Sequence, residues 1–171
     1  MKTASILLIT LCTLLSACQK DKKEAGITLK VLLTDNPVKA EAVNIYIQEV
    51  RVKTADQPNG TEEWITLDTR AGMYNLLELQ NGVTTPLAQG TLPNGSAKEI
   101  RLVLGTNNHL VVNGQSCALT IPSGAESGLK IKLAKPLQKP IEEVVVDFDA
   151  ALSIVQTGSN TYILKPVLRV K

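Results

Sequence analysis

HLVVNGQSCALTI, running from His109 to Ile121, reads as a β-hairpin. Asn113-Gly114 sits between two alternating arms, and both residues tolerate the positive φ that a two-residue type I′ turn demands. Cys117, Leu119 and Ile121 share one face of the second arm. Working outward, the same period of two recurs on both sides. Upstream, Glu99–Leu104 alternates after the turn Leu92-Pro93-Asn94-Gly95; downstream, Leu129–Leu133 alternates, Val144–Phe148 follows Pro140, and Thr161–Val170 forms a last strand. Asp149 is placed to cap a short helix through Val155, ended by Gly158.

The N-terminal half continues the pattern. Ile27–Thr34 is a strand that stops at Asp35-Asn36-Pro37, because proline has no donor for the ladder. Val43, Ile45 and Ile47 share a face, then the apolar phase slips to Val50 and Val52, which predicts a bulge near Gln48-Glu49. Gln57-Pro58-Asn59-Gly60 is a turn, Trp64–Leu67 a strand, and Tyr74–Leu79 a short strand closed by Asn81-Gly82. No segment keeps helical periodicity over three turns. Eight to ten antiparallel strands in one sandwich or barrel are expected, within a single domain spanning 27–171.

Several stretches together resemble a family. They are Leu33–Pro37, Leu76–Gly82, Ile100–Leu104, Pro122–Gly124 through Gly128–Lys130, Asp147–Asp149 and Tyr162–Val167. They are similar to domain of unknown function 4382, found in bacterial, often Bacteroidetes, lipoproteins. The resemblance implies a transthyretin-like (prealbumin-like) Greek-key β-sandwich of about eight antiparallel strands, with one short helix near 149–156. It brings no established activity. Asn36 stands where that pattern has a small residue before the proline, a departure expected to matter little.

Candidate chemistry is sparse. Asp147 and Asp149 lie two apart, so in a strand both carboxylates leave one face while Phe148 enters the core. With Asp35 they form a candidate calcium site, the one cofactor the residues suggest. The alternative, with Asp149 capping the helix and Asp147 taking backbone donors, is stronger, because no D-x-D-x-D-G spacing accompanies the pair. Ser123, Gly124 and Ser127, in the loop Pro122–Gly128, could supply backbone donors to an anionic ligand; a plain connection between strands is the simpler reading. His109 is the only histidine, no G-x-S-x-G elbow exists, and nothing pairs the carboxylates as a glycosidase would need. An enzyme is therefore not expected. Trp64, Tyr46, Tyr74 and Tyr162 must also serve the core, so a sugar-stacking platform is not expected unless Trp64 is exposed beside a tyrosine.

The N-terminus sets the address. Lys2 precedes an apolar run, Ile6–Leu15, too short to span a bilayer, and the run closes on Leu15-Ser16-Ala17-Cys18. This looks like a lipobox: residues 1–17 are a signal peptide cut between Ala17 and Cys18, and Cys18 carries the lipid. Residues 18–26 are a polar tether. Its Lys20-Asp21 is similar to the surface-export signal of Bacteroidetes lipoproteins, although Lys22 and Lys23 interrupt the acidic run. An outer-membrane, extracytoplasmic location follows, at the cell surface if that signal holds. Cys12 leaves with the signal and Cys18 is acylated, so Cys117 is a lone thiol, expected to be buried and inert.

Residues 1–17 hold one lysine and no acid, so the mature chain keeps 16 acidic side chains against one basic side chain fewer than the precursor's 18. A balance so near neutral draws neither nucleic acid nor an acidic membrane. The expected partners are the membrane, through the lipid, and a protein or extracellular polymer at the envelope, engaged by a monomer. A fimbria-associated subunit and an accessory glycan-binding lipoprotein are the alternatives.

Overall fold

The computed structural model describes residues 26–36, 39–54, 63–92, 97–122, 129–133 and 137–171. In chain order its strands are β1 (Ile27–Asp35), β2 (Ala42–Thr54), β3 (Trp64–Thr66), β4 (Asp68–Thr69), β5 (Gly72–Asn75), β6 (Thr85–Leu92) and β7 (Ala97–Leu104). There follow β8 (His109–Val112), β9 (Gln115–Thr120), β10 (Leu129–Lys132), β11 (Ile141–Phe148), β12 (Ile154–Gly158), β13 (Thr161–Leu164) and β14 (Leu168–Val170). A 3-10 turn, Leu76–Leu79, follows β5, and a single turn of helix, α1 (Ala150–Ser153), follows β11.

These strands form two sheets. The smaller runs β14-β11-β1-β6-β4; the larger runs β10-β7-β2-β8-β9-β13-β12, with β3 and β5 also paired to β2. Their inner faces share one core in which Leu29, Leu33, Ile45, Ile47, Leu102 and Phe148 are fully buried. Each such side chain contributes about 1.5–3 kcal/mol by leaving water. Leu67 is the hinge where the chain passes from β3 in one sheet to β4 in the other. Its side chain lies 2.8 Å from where a Cβ on Gly90 would stand, so β6 is kept bare at that point.

Three local expectations hold. The β8–β9 hairpin closes through Asn113 at φ 51° and Gly114 at φ 72°. The pairing of β2 with β7 shifts between Ile47 and Glu49, and the slip keeps Val43, Ile45, Ile47, Val50 and Val52 all in the core. Asp149 caps α1.

The all-β class stands, but the eight-stranded antiparallel Greek-key arrangement does not. Fourteen strands are described, and β1 runs parallel to β11 and β9 parallel to β13. Side-chain alternation is the same in both kinds of ladder, so periodicity carries no pairing direction. β6 went unread because Pro86 and Gly90 interrupt its pattern; the ladder shifts beside Pro86, where β1 pairing skips between Val31 and Leu32.

Leu76–Leu79 is a 3-10 turn and not a strand, because Asn75 accepts a hydrogen bond from Leu77 N while Leu76 and Leu79, three apart, both turn inward. The helix ends at Ser153, and Ile154–Gly158 is a strand paired with β13. The last strand is two: Pro166 breaks it, and the chain crosses from the larger sheet to the smaller. The turns at 57–60 and 93–95, and Pro37, lie outside the described residues.

Gly72 and Gly114 both face open space, but only Gly114 has positive φ. Gly114→Ala is expected to cost about 1 kcal/mol in urea unfolding, whereas Gly72→Ala leaves stability unchanged or slightly raised.

Candidate functional site

The inward row of β1, Leu29-Val31-Leu33, continues to Asp35, which the parallel register sets opposite Phe148. A carboxylate thus completes an apolar row and is 2% exposed. Asp35 Oδ1 accepts from Ala150 N, the first residue of α1, at 2.9 Å. Burial pushes its pKa up to about 6, aided by the nearby Asp147 carboxylate and opposed by the backbone N–H groups of Ala150 and Asn36.

Asp147 and Asp149 stand beside it at the end of β11. Asp149 Oδ1 accepts from Leu152 N at 3.0 Å, the capping bond, and its Oδ2 faces Arg169 at 3.3 Å. Asp147 Oδ2 faces Lys171 Nζ at 3.2 Å. Asn36 joins the two, its Nδ2 donating to Asp147 Oδ2 and to Asp149 Oδ2, each at 3.2 Å. Ser153 Oγ donates to Asp149 O at 2.6 Å and accepts from Val167 N at 2.8 Å, which pins the crossing between β13 and β14. The Thr34 hydroxyl lies 3.0 Å from Leu79 O and 2.8 Å from Val83 O, tying the 3-10 turn to β1.

The structure therefore brings Asp35, Asp147 and Asp149 into one buried cluster, as their candidacy required. Among the described residues, no group of three or more His, Cys, Asp or Glu is placed to hold a metal ion. The carboxylates instead carry out local assembly: capping α1, holding the basic ends of β14, and meeting Asn36. Asp147 takes side-chain donors, not the backbone donors expected of a strand end. Asn36, expected to matter little, is the bridge of the cluster. Arg169 and Lys171 had no signal in the sequence, because only the β11–β14 pairing, with Asp147 opposite Arg169, carries them there. Asp35 Oδ2 and Asp147 Oδ1 are buried without a hydrogen-bond partner.

Elsewhere, Cys117 is buried, in line with its reading as a core thiol. His109 Nδ1 donates to Asn107 O at 2.9 Å and its Nε2 lies 3.1 Å from Asn44 Nδ2; these partners give the ring a structural place. Trp64 is half-buried beneath Arg101, whose guanidinium carbon is 3.9 Å from the ring centroid, and its neighbour on β2 is Lys53 rather than a tyrosine. On the outer face of the smaller sheet, Lys30, Arg70, Asp68 and Glu143 surround a hollow of about 230 Å³ floored by Leu32 and Pro86. Lys30 and Glu143 face each other there at 3.6 Å. No described helix is long and apolar enough to cross a membrane. Ala17, Cys18, Ser123, Gly124 and Ser127 lie outside the described residues.

Because the folded pKa of Asp35 lies above the ordinary 3.8, its stabilising contribution is full below about pH 4 and is lost as pH rises through about 6. Asp35→Asn keeps an oxygen for Ala150 N and removes the charge. Thermal melts are expected to show the variant gaining on the wild type from about pH 4 to about pH 6, and holding that gain above it, by about 2–4 °C for each kcal/mol recovered. Equal pH slopes for the two proteins would contradict this assignment.

No curated protein matches the chain, and no solved structure does. The family model of the Domain of unknown function (DUF4382) matches residues 27–166, and the chain belongs to that family.

Proposed function

We propose that this protein is a lipoprotein of the bacterial cell envelope, acylated on Cys18 and held at the outer membrane, whose β-sandwich acts by binding or structural association and not by catalysis. The observation that carries this reading is Leu15-Ser16-Ala17-Cys18 placed directly after a short apolar run. Several acyl chains on one residue bury far more methylene surface than a single chain, so the anchor needs no spanning helix. Kinship with transthyretin-like sandwiches belongs to the same proposal.

The non-enzymatic part is supported by how the reactive side chains are used. His109 is engaged on both ring nitrogens, Cys117 is buried, and the clustered carboxylates serve caps and ion pairs. The partner is a protein or an extracellular polymer. A fimbrial subunit that exchanges its first strand is less well supported, since β1 is hydrogen-bonded on both sides, to β11 and to β6.

Metabolic labelling with a radioactive fatty acid is expected to mark the wild type and leave Cys18→Ala unlabelled, with wild-type processing blocked by globomycin. Acyl label and membrane retention that survive Cys18→Ala would overturn the reading.

A further inference from the structure

The overall charge of the chain hides how its charges are distributed. On the outer face of the larger sheet, the register sets Lys130, Arg101 and Arg51 opposite one another across β10, β7 and β2, with Thr66 next on β3. The neighbouring row is Lys132, Glu99, Lys53 and Trp64. Like charges directly opposite on one face destabilise a sheet, and here three stand side by side. Within the fold Arg51 pairs with Glu49 at 2.5 Å, and Arg101 stacks on Trp64, which covers one face of the guanidinium without cancelling its charge. Lys130 and Lys132 are exposed. Lys53 has an interaction of its own within the fold, so among the described residues of these rows the charge turned to solvent is carried chiefly by Lys130 and Lys132.

The row Lys132, Glu99, Lys53 and Trp64 lies toward the end of the sandwich from which the chain leaves toward Cys18, and the row of Lys130, Arg101 and Arg51 lies at mid-strand. Ile27 begins β1 opposite Leu92, the last residue of β6, and β7 starts at Ala97, opposite Thr54, after a short connection. β11 begins at the same end, where Thr28 N donates to Pro140 O, with Lys139 and Ile141 exposed beside it. Asp35, Asp147 and Asp149 sit at the opposite end of β1 and β11. The segment Gln19–Ala25 spans at most about 25 Å, so a lipid on Cys18 would keep the basic end close to the headgroups.

We propose that the basic outer face of the larger sheet, at the tether end, rests on a layer of anionic lipid headgroups. This rests on the lipid anchor proposed above. The acyl chains hold the domain at the surface, and the cationic rows then select its orientation, because a tethered second contact acts at high effective concentration. Basic side chains near an anionic surface attract it individually and fade within a Debye length. The carboxylate end is thereby turned away from the membrane.

The test uses the unlipidated chain from residue 19. Every residue of the buried core lies between Leu29 and Leu164, so that chain keeps the whole core. Co-sedimentation is measured with vesicles of phosphatidylcholine containing phosphatidylglycerol, against phosphatidylcholine alone. Binding is expected to the anionic vesicles only, and to vanish near 1 M salt, where the Debye length is about 3 Å. Lys130→Gln and Lys132→Gln should each weaken it about fivefold. Lys165→Gln, the same charge change at an exposed position beyond β13, should leave it unaltered.

No binding to the anionic vesicles, equal binding to neutral ones, or equal weakening by Lys165→Gln would overturn the proposal. Binding to a polyuronate but not to vesicles would also overturn it, and would assign the face to an acidic polymer. Because the chain used here carries no acyl group and no Cys18, its failure leaves the Cys18 reading to be judged by acyl labelling.

Discussion

The position of β1 governs the rest of the molecule. It is the middle strand of the smaller sheet, hydrogen-bonded to β11 on one side and β6 on the other, and its inward side chains are fully buried. A strand held this way has no free edge and no freedom of register, because a slip of one residue would turn Leu29, Val31 and Leu33 outward. The register with β11 is therefore fixed over eight pairs. That register places Asp35 beside Phe148 and Thr34 beside Asp147, and so determines where the polar end of the sheet forms.

The carboxylate cluster follows from what an apolar row must do when it ends. The chain turns there from β11 into α1 and from β13 into β14, and the first turn of α1 leaves backbone N–H groups with no partner inside the helix. Asp35 and Asp149 receive two of them, at Ala150 and Leu152. Once buried, the carboxylates need compensation of their own, supplied by Asn36, Arg169 and Lys171. The C-terminal strand is only three residues long, and these charged contacts at its end help hold it on β11.

The sandwich consequently carries its charge in two distinct places. At one end three acids are gathered and engaged by Asn36, Arg169 and Lys171; on the outer face of the larger sheet, cross-strand register aligns Lys130, Arg101 and Arg51, with Lys130 exposed. A nearly neutral chain can carry such a separation because net charge sums over positions, whereas a surface field depends on where they are.

Local chemistry was legible along the chain wherever neighbours in sequence supply both partners of an interaction. The Asn113-Gly114 turn, the bulge in β2 and the Asp149 cap depend on residues within a few positions of one another. What depends on pairing was not legible. The parallel join of β1 to β11, the role of Pro86- and Gly90-bearing β6 as partner of β1, and the division of the last strand at Pro166 come from contacts between distant segments. The same holds for the site: three aspartates could be singled out by type and spacing, but Asn36, Arg169 and Lys171 join them across more than a hundred residues or across a strand pair. The sequence by itself determined the all-β class, the Asn113-Gly114 turn, the bulge in β2 and the Asp149 cap, because alternation and short motifs are read one segment at a time. Only the tertiary structure decided strand direction, the membership of the carboxylate cluster and the alignment of Lys130, Arg101 and Arg51, because hydrogen-bond register is a relation between segments.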